Sequence, residues 1–169
     1  MALEAPVLET DRLVLRPFTP DDYELLADLH SDPEVQRYIG GPWPREAIQG
    51  RLDAYVADQA KYGFSKWKAH LRDGTFVGRC GVSYWARKGE FELGYSFRRI
   101  AWGRGLATEA ARAVAARFFE LSTEPRLHGF TAVENLGSRR VLERIGMRHT
   151  GDEDLGLGGL SALYLMERP

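Results

Sequence analysis

The segment RRIAWGRGLATEAARAV, Arg98 to Val114, constrains this chain more than any other. It sets two glycines, Gly103 and Gly105, directly before an alanine-rich helical pattern, with Arg98, Arg99 and Arg104 around them. A helix start carries several N–H groups without intrahelical acceptors, and its dipole favours negative charge. Glycines leave that backbone uncovered, so a phosphate can come within hydrogen-bonding distance. Leu106, Ala110, Val114, Phe118 and Leu121 recur at helical spacing and predict the buried face of a helix ending near Ser122. Six alanines between 107 and 116 let that helix lie close against a sheet or a cofactor. Residues 90–97, just before the turn, alternate with the period of a strand. The pattern is strand, bare turn, helix, with an anion expected at the junction.

The remaining periodicities surround this unit with an α+β domain. Leu13, Val14, Leu15 and Phe18 read as an opening strand closed by Pro17 and Pro20. Thr19 and Pro20 then signal a helix start, with Leu25, Leu26 and Leu29 inward. Asp32-Pro33 predicts a second short helix through Val35 and Tyr38, and GGPWP (40–44) a loop. Trp43 in that loop either lines a substrate site or pins the loop to the core. A third helix is predicted over 45–61, with Ile48, Leu52, Tyr55 and Val56 inward. Strands are expected over 64–71 and 76–84, joined by the turn RDGT. After the central helix come a strand at 126–133, a helix at 136–145 stopped by Gly146, and strands at 147–150 and 160–166.

Composition narrows the partners. At 169 residues, one domain covering 1–169 is the simplest organisation. A formal net charge of −1 argues against a general nucleic-acid binder, and the 19 arginines against 4 lysines are equally a composition bias. The single cysteine, Cys80, excludes an internal disulfide and a multi-cysteine zinc site, and suits a reducing, cytoplasmic setting. It reads as a small buried strand residue. The start MALEAPVLETDRLVL has no basic segment followed by an apolar run, so no signal peptide is expected, and no stretch approaches the ~20 apolar residues of a membrane span.

Two familiar glycine loops do not fit. A P-loop needs a lysine after its second glycine, and none follows Gly105. A dinucleotide fingerprint needs a third small residue where Thr108 stands, within a parallel rather than an antiparallel sheet. Leu93-Gly94-Tyr95 followed by Trp102-Gly103-Arg104-Gly105-Leu106-Ala107-Thr108-Glu109-Ala110, however, resembles the acetyl-CoA signature of the GNAT acetyltransferases. The likeness is to the branch that includes the ribosomal-protein N-terminal acetyltransferases. Asn135, Ser138, Val141, Leu142, Glu143 and Gly146 match the family's second block, and LETDRLVLRPFTPDD matches the branch's opening. The resemblance implies a mixed, mostly antiparallel central sheet of about seven strands with helices on both faces. It also implies acetyl-CoA as cosubstrate, no metal, no nucleic acid or membrane partner, and a homodimer as the common assembly among relatives. Two places depart from the wider superfamily: Ile100 stands where Gln or Arg is frequent, and Leu142 where a catalytic Tyr is frequent.

Carried over residue by residue, the resemblance lays the pantetheine arm along the backbone of Tyr95, Ser96 and Phe97 like an added strand. The amides of Ala101, Trp102, Gly103, Arg104, Gly105 and Leu106 hold the pyrophosphate, and Ala107 and Thr108 are further cofactor-binding residues. Arg98, Arg99, Arg104, Arg139 and Arg140 are phosphate ligands or solvated surface charges. Asn135 caps the helix it opens, bonds the pantetheine, or both. Ser138 protonates the departing thiolate or is plain helix-start polarity. Glu92 takes the amine proton through water, ahead of Glu90 on the same strand face, or forms a cross-strand ion pair with Lys66 or Lys68. His30, His70, His128 and His149 carry no motif that marks them. The expected reaction is direct acetyl transfer to a primary amine in a ternary complex, with a protein N-terminal α-amine as acceptor. A polyamine, amino acid or antibiotic amine is the alternative, and a silent CoA-binding module the rival. A polycationic acceptor would call on an acidic cleft built from Asp21, Asp22, Glu24, Asp28, Asp32 and Glu34.

Overall fold

The structure, a computed structural model, describes residues 4–169. Two strands open the chain, β1 (Leu8–Glu9) and β2 (Leu13–Pro17). Thr19 then forms a capping box with Asp22, whose carboxylate accepts from the Thr19 amide at 2.8 Å. Pro20 presets the first helical dihedral, and one 3-10 turn leads into α1 (Tyr23–His30). There follow α2 (Arg45–Tyr62), β3 (Lys66–Leu71), β4 (Phe76–Trp85), β5 (Glu90–Phe97), α3 (Leu106–Leu121), β6 (Arg126–Ala132), α4 (Leu136–Arg144), β7 (Arg148–Asp154) and β8 (Leu160–Glu167). One eight-stranded sheet runs β1-β2-β3-β4-β5-β6-β8-β7, and every neighbouring pair is antiparallel except β5 with β6. No helix among the described residues is long and apolar enough to cross a membrane.

Strand alternation divides the sheet into two unlike faces. Trp67, Ala69, Cys80, Val82, Phe91 and Leu93 point to α3 and join its Ala110, Ala111, Val114 and Phe118 in the main core. The small α3 residues let that helix approach closely, while Phe118 stacks edge-on against Phe64. The opposite face places Lys66, Lys68 and Arg79 under α1 and α2, where Phe18, Leu26, Ile48, Leu52 and Tyr55 form a smaller cluster. These buried cations are each engaged: Lys68 with Asp22 (2.7 Å), Arg79 with His30 (3.1 Å) and the Tyr55 ring, Lys66 with Glu92 (2.8 Å).

Several expectations need correction. There are eight strands rather than about seven, because Leu8 pairs with Leu15 in a short added edge. The helix expected from Asp32 to Tyr38 is a run of turns. The Asp32 carboxylate accepts from the Glu34 amide, and Gln36 is pulled inward to His30 at 2.8 Å, so no ladder propagates. Leu121 is 39% exposed at the end of α3, while Phe119 is buried, because the helix stops within a turn and rotates its last residue outward. Val56 is only half-buried, and β7 runs four residues past Thr150 to Asp154.

Candidate active site

β5 and β6 pair in parallel at just two places, Glu92 with His128 and Leu93 with Gly129. Beyond them the strands separate. Gly94 through Phe97 keep β4 on one side, with Tyr95 opposite Cys80 and Ser96 opposite Arg79, and have no strand on the other. A slot with an unpaired main-chain edge results, able to bond an extended ligand as a strand would.

The chain leaving β5 leads this slot to the start of α3. Arg98 donates to Val77 O, a single 3-10 turn covers Arg99–Ala101, and the Trp102 indole donates to Phe97 O at 2.8 Å. Gly103 (φ 71°) and Gly105 (φ 75°) then take left-handed conformations that side-chain-bearing residues rarely adopt. Among the described residues, none of the six amides from Gly103 to Thr108 donates to another protein group. A row of free donors at the positive end of a 16-residue helix is chemically able to hold a diphosphate.

The loop is braced from beneath. Glu109, in the first turn of α3, accepts from the Thr10 hydroxyl (2.7 Å), the Arg12 amide (2.9 Å) and the Arg12 guanidinium, while Arg12 Nη1 donates to Arg104 O (2.7 Å). Burial opposes ionisation of Glu109, but these donors outweigh it and hold its carboxyl below the ordinary range. The Thr10 and Arg12 of the opening stretch thus serve the distant glycine turn. Of the five arginines considered for phosphate, Arg98 pairs with Asp28 (3.1 Å), Arg99 with Asp32 (2.9 Å), and Arg139 donates to Tyr164 Oη (3.0 Å). Arg104 and Arg140 are exposed, and their side chains have no such partner among the described residues.

At the slot's side, the Asn135 Oδ1 accepts from the Ser138 amide (3.2 Å), so the capping role is present, and the Asn135 NH2 group has no partner among the described residues. Ser138 meets a group that the sequence did not bring to it: the Tyr95 hydroxyl lies 2.9 Å from Ser138 Oγ and 2.9 Å from its carbonyl. Desolvation pushes the Tyr95 phenol up, with the Ser138 bond acting the other way. Alternation would have shown Tyr95 on the α3–α4 side; its meeting with α4 depends on how far β6 diverges. Leu142 is buried in the core.

The opposite face at the splay carries the other polar groups. Glu92 Oε1 bonds Lys66 Nζ at 2.8 Å, with side chains 15% and 5% exposed. Both intervening positions are glycine: a Cβ on Gly81 would strike the β3 backbone, and one on Gly94 would lie 2.8 Å from Lys66 Nζ. Desolvation lowers the Lys66 pKa, while Glu92 opposes that shift. Next along β5, Glu90 holds Arg126 (2.7 Å) and contacts His128 Nε2. Trp43 stacks on His30 at 4.0 Å and donates its amide to His30 O, so it fastens its loop to the core. His30 is buried and neutral, its pKa pulled down to about 3 by desolvation and by Arg79. The Cys80 thiol is buried and pushed up to about 12 by desolvation, which makes it a poor nucleophile. The acids proposed for a polycation are largely spent: Asp22, Asp28 and Asp32 each hold a cation. The cleft of about 350 Å³ beside α1 has Asp28, Asp32, Arg98 and Arg99 in its wall and is charge-balanced.

Comparison with known proteins agrees with this geometry. The family described as "Acetyltransferase (GNAT) domain" matches residues 12–148. The Bacillus subtilis (strain 168) protein YkkB is 33% identical over 147 residues, covering 85% of this chain and 86% of YkkB. The N-acetyltransferase YoaA of the same strain is 30% identical over 151 residues, covering 86% and 85%. A crystal structure of an acetyltransferase from Agrobacterium tumefaciens str. C58 superposes with a TM-score of 0.85 at 26% identity, covering 99% of this chain and 97% of that one. Neither Bacillus name specifies an acceptor, so the narrower ribosomal-protein branch expected from the motifs is not confirmed by these relatives. The matched span, the open slot and the bare helix start together make this chain a member of the GNAT family of N-acetyltransferases.

Proposed function

We propose that this chain transfers the acetyl group of acetyl-CoA to a protein N-terminal α-amine, by direct attack within a ternary complex. The observation that carries the cosubstrate assignment is the row of free amides at Gly103 to Thr108, standing at the end of the β5–β6 slot. The diphosphate sits on these donors, with Arg104 and Arg140 toward the outer phosphates. Ala101 and Trp102 shape the approach, and Arg99 steadies the loop through Asp32. The pantetheine amides pair with the edge of Tyr95, Ser96 and Phe97, and the Asn135 amide group adds a donor. A backbone N–H on that edge faces the thioester oxygen as charge develops; losing one such donor costs about 3 kcal/mol of barrier.

Glu92 draws the acceptor ammonium to the splay and orders the water through which its proton leaves, while Lys66 fixes the carboxylate. The freed amine attacks the carbonyl carbon. The thiolate leaves with a proton passed by Ser138 and the Tyr95 hydroxyl bonded to it. The paired state of Asp22, Asp28 and Asp32 favours a single α-amine over a polycation, because little uncompensated acid remains on that side. The test is free-thiol release from acetyl-CoA across peptides beginning with Ala, Ser or Met, spermidine, free amino acids and an aminoglycoside. Peptide-dependent release is expected. Turnover on spermidine or the aminoglycoside alone moves the acceptor to small amines, and saturable CoA binding without turnover on any acceptor removes this reading.

A further inference from the structure

The proton that leaves the amine needs a place to stay, and Glu92 is badly suited to keep it. Its Oε1 is tied to Lys66, whose ammonium is buried with Glu92 as its one carboxylate partner among the described residues. A proton on Glu92 would leave that ammonium without a counter-charge in a low-dielectric site. Directly across from Glu92 lies His128, its register partner in the first of the two parallel pairings, on the same sheet face and one residue from where the strands separate. Its Nε2 contacts a Glu90 carboxylate oxygen, and the other carboxylate oxygen is held by Arg126 at 2.7 Å. Among the described residues Nδ1 has no hydrogen-bond partner, and it is not among the buried unpartnered atoms, so solvent reaches it. The His128 and Glu90 side chains are 16% and 20% exposed, and the Trp85 ring stands edge-on to the imidazole at 5.6 Å.

From this arrangement we propose that His128, oriented by Glu90, is the catalytic residue that receives the proton of the acceptor amine. The carboxylate keeps the single imidazole proton on Nε2, which leaves the Nδ1 lone pair facing the reaction. A carboxylate on one ring nitrogen and a free lone pair on the other is the arrangement by which an imidazole serves as a general base. The acceptor ammonium gives one proton, directly or through the water at Glu92, to Nδ1 and becomes a neutral amine. Its nitrogen lone pair forms the C–N bond at the thioester carbon. As the C–S bond breaks, the second amine proton passes to the departing sulfur through the Ser138–Tyr95 pair, giving CoA thiol and the amide. His128 then returns its proton to solvent. Glu90 and Arg126 act as positioning residues.

The charged groups around the imidazole are Glu90 and Glu92 from β5, Arg126 from β6, and Lys88 over the Trp85 ring. Beyond the uncharged Leu165 of β8 stands the Glu167–Arg148 pair (3.6 Å). Carboxylates and cations around the imidazole are nearly matched.

The assignment rests on the direct-attack reading, so its test has one arm that needs no acceptor. In the full-length protein saturated with CoA, nitrogen NMR of His128 at neutral pH is expected to find the proton on Nε2, and Glu90→Gln is expected to weaken that preference. A proton on Nδ1 with bare Nε2 overturns the proposal. With whichever acceptor of the panel turns over, His128→Gln is expected to lower kcat by about 100-fold or more, leave KM for acetyl-CoA within twofold, and flatten the acid limb of the pH–rate profile. Added imidazole is expected to restore part of the activity of His128→Ala, and His149→Gln serves as a control with unchanged kcat. A His128→Gln enzyme within threefold of the parent kcat and with the same pH profile overturns the proposal. Absence of turnover on every acceptor fails the functional reading instead, and the NMR arm still decides the tautomer claim.

Discussion

The two ends of the β5–β6 slot are built from different materials. The end proposed for the diphosphate is main chain: six consecutive amides, two left-handed glycines and a helix dipole. The end proposed for the amine is side chain: the Lys66–Glu92 pair laid across two glycines, and Glu90 holding Arg126 and His128. Main-chain donors are indifferent to which side chains surround them, provided no Cβ intrudes. Side-chain constellations depend on three or four elements meeting at the right distance. The diphosphate end should therefore fail sharply to one steric change, and the amine end should fail by degrees, with partial repair by paired changes.

The largest effect is expected at the main-chain end. Gly105→Glu forces a side chain onto a φ of 75° and sets a carboxylate among the donors. Calorimetric titration is expected to show acetyl-CoA affinity reduced by about 100-fold or more, the effect of one misplaced charge in an anion site. The circular dichroism spectrum should be retained, because a Cβ at Gly105 meets only the Arg12 guanidinium, at 3.6 Å. Unchanged affinity would remove the phosphate site from this turn.

Next comes the buried pair on the amine side. Lys66→Met leaves the Glu92 carboxylate facing a methyl group and is expected to cost about 3 kcal/mol, hence roughly 6 to 12 °C of melting temperature for a chain of this size. The double variant Lys66→Met, Glu92→Gln removes both charges and should recover more than half of that loss. Thermal melts of the four proteins in the cycle measure the coupling directly; additive losses would mean the pair is not a unit.

The same division decides what could be read from the sequence. Gly103 and Gly105 before a helical apolar pattern identify a main-chain device because its parts are contiguous, and the structure places that turn at the start of α3 with its amides unpartnered among the described residues. Strand alternation likewise put Glu92 and Glu90 on one face, and Lys66 was already one of two expected partners for Glu92. What the sequence could not supply was distance between elements. Tyr95 meets Ser138 across 43 residues, and His128 meets Glu90 across 38. No local pattern encodes either contact, since both depend on the angle at which β6 leaves β5. The turns at 32–40 escaped for a related reason: Gln36 follows a buried tertiary bond to His30 rather than helical propensity.

A third, smaller effect tests whether the main-chain end has a side-chain dependence of its own. Glu109→Ala removes the brace joining Thr10, Arg12 and the Arg104 carbonyl, and is expected to weaken acetyl-CoA binding by about tenfold while leaving the donors intact. Its pH dependence has a definite sign. The folded-state pKa of Glu109 is held below the 4.5 of an unperturbed glutamate, so its stabilising contribution is fully present above 4.5 and is lost as pH falls through the folded value. Melting temperature followed from pH 6 down to 3.5 should therefore fall more steeply in the parent than in Glu109→Ala, converging at the acid end. Parallel curves would show that Glu109 contributes nothing through its charge.

The smallest effect concerns Arg104 and Arg140, the two of the five candidate arginines whose side chains keep no partner among the described residues. An exposed guanidinium beside a phosphate contributes modestly and is screened by salt within a Debye length of about 10 Å at 0.1 M. Arg104→Gln is expected to weaken acetyl-CoA by about two- to threefold at low ionic strength, shrinking toward no difference near 0.5 M salt, as surface ion pairs do. Repeating the titration with dephospho-CoA separates two locations for the contact. If Arg104 faces the 3′-phosphate, the variant and the parent bind dephospho-CoA equally; if it faces the diphosphate, the deficit persists. A salt-independent loss would instead mean that Arg104 shapes the glycine turn through the carbonyl held by Arg12, and the diphosphate end would then share the side-chain character of the amine end.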